Sequence, residues 1–150
     1  MRVRSLIGNW NNLLAVLTAV FVVTCVVNYD ALAQVKTTND SVFTDEQATR
    51  GEDAYQQECA QCHLDDLLGD GIAPALIGAP FSFRWSELSV ADMLVAIRTT
   101  MPQGAPASLC PQAYVDMVAY MLQFYDYPAG EVELPTAEAE LEAIIIADSQ

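Results

Sequence analysis

Two cysteines and a histidine stand close enough in this sequence to act on one group. They form the segment Cys59-Ala-Gln-Cys62-His63, which is a C-x-x-C-H motif. In this motif the two thiols add to the vinyl groups of a haem as thioethers, and the histidine binds the haem iron. His63 is the only histidine of the chain, so the second axial ligand is not a histidine. The motif predicts one covalently bound haem c.

Three other interpretations of these residues stay open. A thioredoxin-like redox pair needs a βαβ context, which the sequence lacks. A zinc site could add Cys110 to the motif, but adjacent Cys62 and His63 would both have to reach one small ion. A plain disulfide between Cys59 and Cys62 suits an oxidising compartment. Haem is favoured over all three, because a pattern typical of an export signal precedes the motif and c-type haem is attached after export.

Among the five methionines, Met101 is the predicted sixth ligand of the iron. It lies in a predicted loop and precedes Pro102, whose fixed φ stiffens the turn that presents the sulfur. Met93, Met117 and Met121 fall at helical positions, where core packing is expected. Met/His ligation raises the reduction potential and leaves no open position on the iron, which favours electron transfer over catalysis.

The elements that must position these residues are predicted to be helices. Before the motif, Thr44 can cap a helix while the side chain of Gln47 reaches back, and the helix runs to about Gln57. After the motif, residues 64–86 are rich in glycine and proline and are predicted to form one long irregular loop. Four apolar residues of this loop are expected to wrap a hydrophobic group: Ile72, Leu76, Ile77 and Phe81.

Two more helices are predicted beyond this loop. One is capped by Ser89 and runs to about Thr99, and the other begins at Pro111, because proline suits the first helical position. The buried face of the last helix follows from apolar spacing: Tyr114, Val118, Met121 and Tyr125. No clear strand pattern is found, so the predicted fold class is all-α.

The first 33 residues differ from the rest. Arg2 and Arg4 precede the uncharged segment Leu13–Val27, which is followed by Ala31-Leu32-Ala33. This is the pattern of a cleavable secretory signal peptide over residues 1–33, and it predicts a periplasmic protein. The apolar segment is short for a membrane span, so an uncleaved anchor is the less favoured alternative.

Three segments are predicted for the remainder of the chain. Residues 34–43 are polar and expected to be loose, residues 44–130 form the haem-binding domain, and residues 131–150 form an acidic extension. Apolar residues could pack this extension on the domain, and a frayed tail is the alternative; the residues are Leu141, Ile144 and Ile146.

The net charge of −14 restricts the partners of the chain. It argues against nucleic acid or an anionic membrane surface as a partner. Two interpretations of the charge stay open, namely simple solubility and long-range steering towards a basic partner.

Taken together, these residues show that the sequence resembles class I cytochromes c over about residues 43–147. It is most similar to the small cytochrome c domains found with periplasmic quinoprotein dehydrogenases. The segments that carry the resemblance are GEDAYQQECAQCH (51–63), PALIG (74–78), IRTTMPQGAP (97–106), YVDMVAYML (114–122) and YPAGEVELP (127–135). The resemblance implies a class I cytochrome c fold, with three or more helices and long loops around one haem.

The resemblance also implies contacts between particular residues. The first and last helices would cross with Gly51 and Tyr55 against Tyr120. The carbonyl of Pro74 would accept a hydrogen bond from His63, which would fix the tautomer and the angle of the imidazole ring.

The resemblance does not fix the roles of four other residues. Arg84 and Trp85 are candidates to donate hydrogen bonds to haem propionates, with a surface arginine and a core tryptophan as the alternative. Leu64 stands where the family often has glycine, and Cys110 stands where it usually has a capping serine or threonine. We expect Cys110 to be a buried small hydrophobe rather than a thiol free for a disulfide.

The function implied is electron transfer from a periplasmic dehydrogenase to an oxidase or another cytochrome of a respiratory chain. The chain would be an electron carrier and not an enzyme. A tightly bound haem subunit of a quinoprotein dehydrogenase complex is the alternative, and a haem sensor or peroxidase is a third possibility. Apolar residues expected near the exposed haem edge are Ala79, Ala105 and Pro106.

Overall fold

Helices account for most of the regular structure in the computed structural model, which describes residues 35–148. In chain order the elements are β1 (Lys36–Thr37), a 3-10 turn (Thr38–Asp40), α1 (Asp45–Glu58), α2 (Ala60–His63), α3 (Gly78–Trp85), α4 (Val90–Thr100), α5 (Pro111–Phe124), α6 (Glu138–Leu141) and β2 (Ile144–Ile145). The predicted all-α fold class is confirmed. The predicted signal peptide lies outside the described residues and stays a prediction.

Helices α1 and α5 cross with their backbones in direct contact. A Cβ atom on Gly51 would lie 1.9 Å from the carbonyl oxygen of Asp116 and 2.9 Å from the Cβ of Tyr120. Glycine is therefore required at this position, because any side chain would push the helices apart. Beside it, the rings of Tyr55 and Tyr120 pack with their centroids 5.3 Å apart. The crossing implied by the resemblance is confirmed.

Of the two capping hydrogen bonds predicted at the start of α1, one is present. The side chain of Thr44 accepts a hydrogen bond from the backbone N–H of Gln47 at 3.1 Å. The side chain of Gln47 does not reach back, and this part of the prediction is wrong. Instead, the Gln47 side chain is buried and bonds both backbone groups of Leu134. It donates to the carbonyl at 3.1 Å and accepts from the N–H at 2.8 Å. This pairing satisfies the whole amide inside the core.

The prediction of one irregular loop over residues 64–86 is wrong for residues 78–85, which form α3. Pro80 lies in the first turn of α3, where proline is tolerated because its missing N–H would have no partner within the helix. Phe81 is buried, and its ring stacks on Tyr125 with the centroids 4.5 Å apart. Of the other apolar residues, Leu76 and Ile77 pack against the core, whereas Ile72 is 94% exposed.

Both ends of the described chain pack on the domain. Strand β1 pairs in parallel with β2, with Lys36 opposite Ile144, and Phe43 is fully buried. The expectation that residues 34–43 are loose is thus wrong for residues 36–43. The acidic extension packs rather than frays, because Leu141 and Ile146 are fully buried. Residues 35–148 belong to one unit, so the extension does not stand apart from the domain.

Helices α4 and α5 begin where they were predicted. Ser89 caps α4 in a capping box with Asp92, and Pro111 is the first residue of α5. Residues 114–122 of α5 are all buried, because α1 and α4 both pack against this helix. Core packing is confirmed for the three helical methionines, which are Met93, Met117 and Met121.

Candidate functional site

The two cysteines and the histidine lie on a single helical turn between α1 and the loop that follows α2. The N–H groups of Cys62 and His63 donate to the carbonyl of Cys59, at 3.1 and 3.0 Å. Residues three and four positions apart share one side of such a turn. The backbone therefore presents the two thiols and the imidazole on the same side, which is the arrangement that attachment of one flat cofactor requires.

The two thiols have different surroundings. Cys59 is half-buried, and its Sγ donates to the Sδ of Met117 at 3.6 Å, whereas Cys62 is exposed. Burial is the main cause that raises the pKa of the Cys59 thiol to about 11, and the charges of Glu58 and Cys62 contribute to the same shift. The unattached Cys59 is therefore a neutral thiol near pH 7.

The imidazole of His63 is buried and oriented by the backbone of the following loop. Its Nδ1 lies 2.9 Å from the carbonyl oxygen of Pro74. A carbonyl can only accept, so Nδ1 carries a proton, and in the neutral ring the lone pair is on Nε2. Nε2 has no hydrogen-bond partner within residues 35–148. A histidine held in this way is prepared to bind a metal through Nε2.

The loop reaches His63 because of two residues, Gly69 and Asp70, whose role is not predicted from the sequence. Gly69 has a φ of +68° and donates its N–H to the carbonyl of His63 at 3.0 Å. A Cβ on Gly69 would lie 2.2 Å from the carbonyl oxygen of Ala73, so only glycine allows the loop to close before Pro74. Asp70 accepts from the N–H groups of Ile72 and Ala73, both at 2.9 Å. These bonds lower the pKa of Asp70 and shape the turn.

Met101 directly follows α4, and its backbone is tied to α5. The hydroxyl of Tyr114 donates to the carbonyl of Met101 at 2.9 Å, and Tyr114 is 1% exposed. From the sequence, Tyr114 is predicted only to be a buried residue of this helix. Its spacing on α5 predicted burial but contained no signal for a bond to the preceding loop. The Met101 side chain is half-buried, in the loop where the sequence predicted it.

Arg84 and Trp85 are the last two residues of α3, and the structure brings their side chains together. The guanidinium carbon of Arg84 lies 4.7 Å from the ring centroid of Trp85, which is a cation–π contact. Arg84 is exposed and Trp85 is half-buried. The three residues expected near a haem edge are exposed: Ala79, Ala105 and Pro106.

The zinc interpretation is wrong. Cys110, which it requires, is exposed at the start of α5, and its side chain caps nothing. Between residues 35 and 148 no group of three or more His, Cys, Asp or Glu side chains is placed to hold a metal ion. The expectation of a buried Cys110 is also wrong, because the first turn of α5 lies at the protein surface.

The available side chains fit a haem c. Cys59 and Cys62 supply two thiols on one helical turn, and His63 supplies Nε2 while its Nδ1 is held by Pro74. Met101 supplies a sulfur from a loop that Tyr114 holds in place.

Within the described residues, no helix is long and apolar enough to cross a membrane.

One family model matches the chain, that of cytochrome c oxidase, cbb3-type, subunit III. The match covers residues 46–121, which is about half of the chain. It includes the cysteine and histidine motif, the loop that closes on His63, and Met101. No curated protein and no solved structure matches the chain.

Proposed function

The chain belongs to the cytochrome c family of cbb3-type oxidase subunit III, and from this premise we propose that it is a monohaem electron carrier. A c-type cytochrome domain of this kind binds haem c covalently and transfers electrons with redox protein partners. The haem supplies a one-electron iron couple. We assign its attachment to Cys59 and Cys62 and its proximal ligation to His63.

The observation that carries the proposal is the state of the His63 imidazole. A proton held on Nδ1 by the carbonyl of Pro74 leaves Nε2 as the metal-binding atom. The ring is 7% exposed, so packing as well as this bond holds its orientation. Without this bond, neither the tautomer nor the orientation of the ring would be fixed in this way.

Met101 is proposed as the second axial ligand. The bond from Tyr114 restrains the backbone that presents the sulfur. The remaining described methionines are buried in helices α4 and α5 at 1–4% exposure, so moving one of them to a cofactor would open the core. With both axial positions filled by side chains, oxygen and peroxide have no open site on the iron.

The test compares Met101→Leu with Met93→Leu, which make the same chemical change in a loop and in the core. We expect the exported wild type to carry one covalent haem by mass and to show a low-spin spectrum with a weak red sulfur-to-iron band. Met101→Leu should lose that band, and Met93→Leu should retain it. Loss in Met93→Leu alone would overturn the ligand assignment, and a colourless wild type would overturn the function.

We further propose that the protein works in the periplasm, between a dehydrogenase and a respiratory acceptor. The proposal is supported by the attachment of c-type haem after export and by the signal-like pattern of residues 1–33.

Arg84 and Trp85 are proposed donors to the haem propionates, since both end α3 as a contacting pair.

A fixed haem subunit of a larger complex is the second candidate function. The family description names an oxidase subunit, and a quinoprotein dehydrogenase complex is a further possible host. Size-exclusion chromatography of native extract separates these cases, because a carrier elutes alone near the mass of the mature chain. A haem sensor or peroxidase is the remaining alternative, and carbon monoxide binding to the reduced protein at neutral pH would favour it.

A further inference from the structure

The C-terminal end of the described chain holds the start of helix α4. Residues 138–146, here called the C-terminal strap, comprise α6 and β2, and both elements contact α4. The N–H of Ile146 donates to the carbonyl of Leu88 at 2.9 Å. Ser89, which caps α4, pairs with Ile145 in an antiparallel bridge. The residues that lead into α4 are thus fixed to the strap through the backbone.

The strap also reaches the other end of α4, in the turn that precedes Met101. The guanidinium of Arg98 donates to the carboxylate of Glu138 at 3.0 Å. The carbonyl of Arg98 accepts from the N–H of Ala107 at 2.9 Å, and the N–H of Met101 donates to the carbonyl of Ile97 at 2.8 Å. Arg98 therefore joins the strap through its side chain and the Met101 loop through its backbone.

The strap is itself anchored in the core of the domain. Leu141 and Ile146 are fully buried, and Ile144 is 6% exposed. These side chains belong to the same hydrophobic cluster as the buried face of α4. Directly after the strap, the N–H of Ala147 donates to the hydroxyl of Thr38 at 3.0 Å. Because the strap is fixed in this way, it can restrain both ends of α4.

We propose that the C-terminal strap keeps the Met101 sulfur on the haem iron, with Arg98 as the positioning residue. The inference rests on the proposed function, in which Met101 is an axial ligand. A group that is already held in its bound position loses little conformational entropy when it binds. Met101 directly follows α4, so a helix that is restrained at both ends limits the movement of the sulfur away from the iron. Release of α4 from the strap therefore raises the fraction of molecules in which Met101 is off the iron.

Imidazole measures this fraction, because it competes with Met101 for the ferric iron. Its apparent affinity is proportional to the fraction of molecules whose iron is open. Arg98→Gln removes the ion pair with Glu138, whose two side chains are 39% and 45% exposed. An exposed ion pair changes an equilibrium constant by up to about fivefold. We expect Arg98→Gln to bind imidazole about twofold to fivefold more tightly than the wild type, in a titration followed by absorbance.

Arg50→Gln is the matched control, since it makes the same chemical change in another ion pair. Arg50 is 45% exposed and joins α1 to Asp116 and Glu133, which belong neither to α4 nor to the strap. We expect this control to bind imidazole with the wild-type affinity. A charge swap tests the pair itself: Arg98→Glu should bind imidazole more tightly than Arg98→Gln, and adding Glu138→Arg should reverse this gain.

Heating the ferric protein separates release of the ligand from unfolding of the domain. In Arg98→Gln the red sulfur-to-iron band should be lost further below the unfolding midpoint, followed by far-ultraviolet circular dichroism, than in the wild type. In Arg50→Gln the interval between the two midpoints should equal that of the wild type. An interval in Arg98→Gln no wider than that of the control would show that the pair supports only global stability, and the proposal would be wrong.

Met101→Leu distinguishes failure of this inference from failure of the ligand assignment. If Arg98→Gln binds imidazole no more tightly than Arg50→Gln, or if the swapped pair restores nothing, the strap does not position the ligand. Much tighter imidazole binding by Met101→Leu would then leave the assignment of Met101 intact. If Met101→Leu itself binds imidazole only as the wild type does, Met101 is not the ligand, and the assignment and the inference fail together.

Discussion

Replacing Gly51 with alanine tests the helix crossing on which the domain depends. The new Cβ would stand 1.9 Å from the carbonyl oxygen of Asp116 and 2.4 Å from its carbonyl carbon. Both are backbone atoms, so no side-chain rotation relieves the contact. To restore a separation of 3.0 Å, helices α1 and α5 must move apart by about 1.1 Å.

The loss in the free energy of unfolding can be estimated from this movement. Overpacking of a tight core costs about 1–3 kcal/mol, and more where backbone must move. Loosening the pair Tyr55 and Tyr120 removes a further ~1 kcal/mol. Alanine returns about 1 kcal/mol through its better helix propensity. We expect a net loss of about 1–3 kcal/mol, out of a total stability of about 5–15 kcal/mol for a domain.

The assay is urea unfolding of the haem-bearing protein, followed by far-ultraviolet circular dichroism. Gly104→Ala is the matched control, because a Cβ on Gly104 meets nothing within 4 Å and the residue lies in an exposed loop. We expect the control to unfold at the wild-type midpoint. If Gly51→Ala also unfolds there, the close crossing of α1 and α5 is not required, and the reasoning is wrong.

Three further substitutions test local features. Leu64 has φ 62° and ψ 163°, a conformation that glycine adopts freely, so Leu64→Gly should raise the free energy of unfolding by about 1 kcal/mol; an unchanged or lower urea midpoint would contradict this. Gln47→Ala should lower it by about 2–4 kcal/mol, because both backbone groups of Leu134 lose their partner; the exposed Thr49→Ala is the control and should change it far less. Bonds from Ser89 hold the pKa of Asp92 below its usual 3.8, so the capping box stabilises the fold above that pH and this contribution disappears as pH falls. Asp92→Asn should therefore reduce the loss of thermal stability between about pH 5 and pH 2, and an unchanged loss would show that the capping box is not its source.

The irregular segment after the motif shows where local sequence signals fail. Glycine and proline are so frequent between residues 64 and 86 that a helix there is not predicted. Yet Pro80 occupies a first-turn position that proline tolerates, and Phe81 gains a buried partner in Tyr125. The stacking partner lies more than forty residues away in the chain, so no pattern within the segment reveals it.

The sequence by itself determined the chemistry of the candidate site and the helical class. The thiols and the imidazole of residues 59–63 share one helical turn, and the caps at Thr44 and Ser89 act within three residues. Such features depend on near neighbours in the chain, which a linear pattern displays directly. For the same reason the position of Met101 in a loop before Pro102 was visible in advance.

The tertiary structure alone decided how these groups are held. Gln47 bonds Leu134 across 87 residues, and β1 pairs with a strand at the other end of the described chain. Gly69 and Asp70 shape the loop that brings Pro74 to His63, and Tyr114 fixes the backbone of Met101. Each of these contacts depends on which surfaces meet after the helices pack. Many partners offer the same donors and acceptors, and only the packed backbone selects among them.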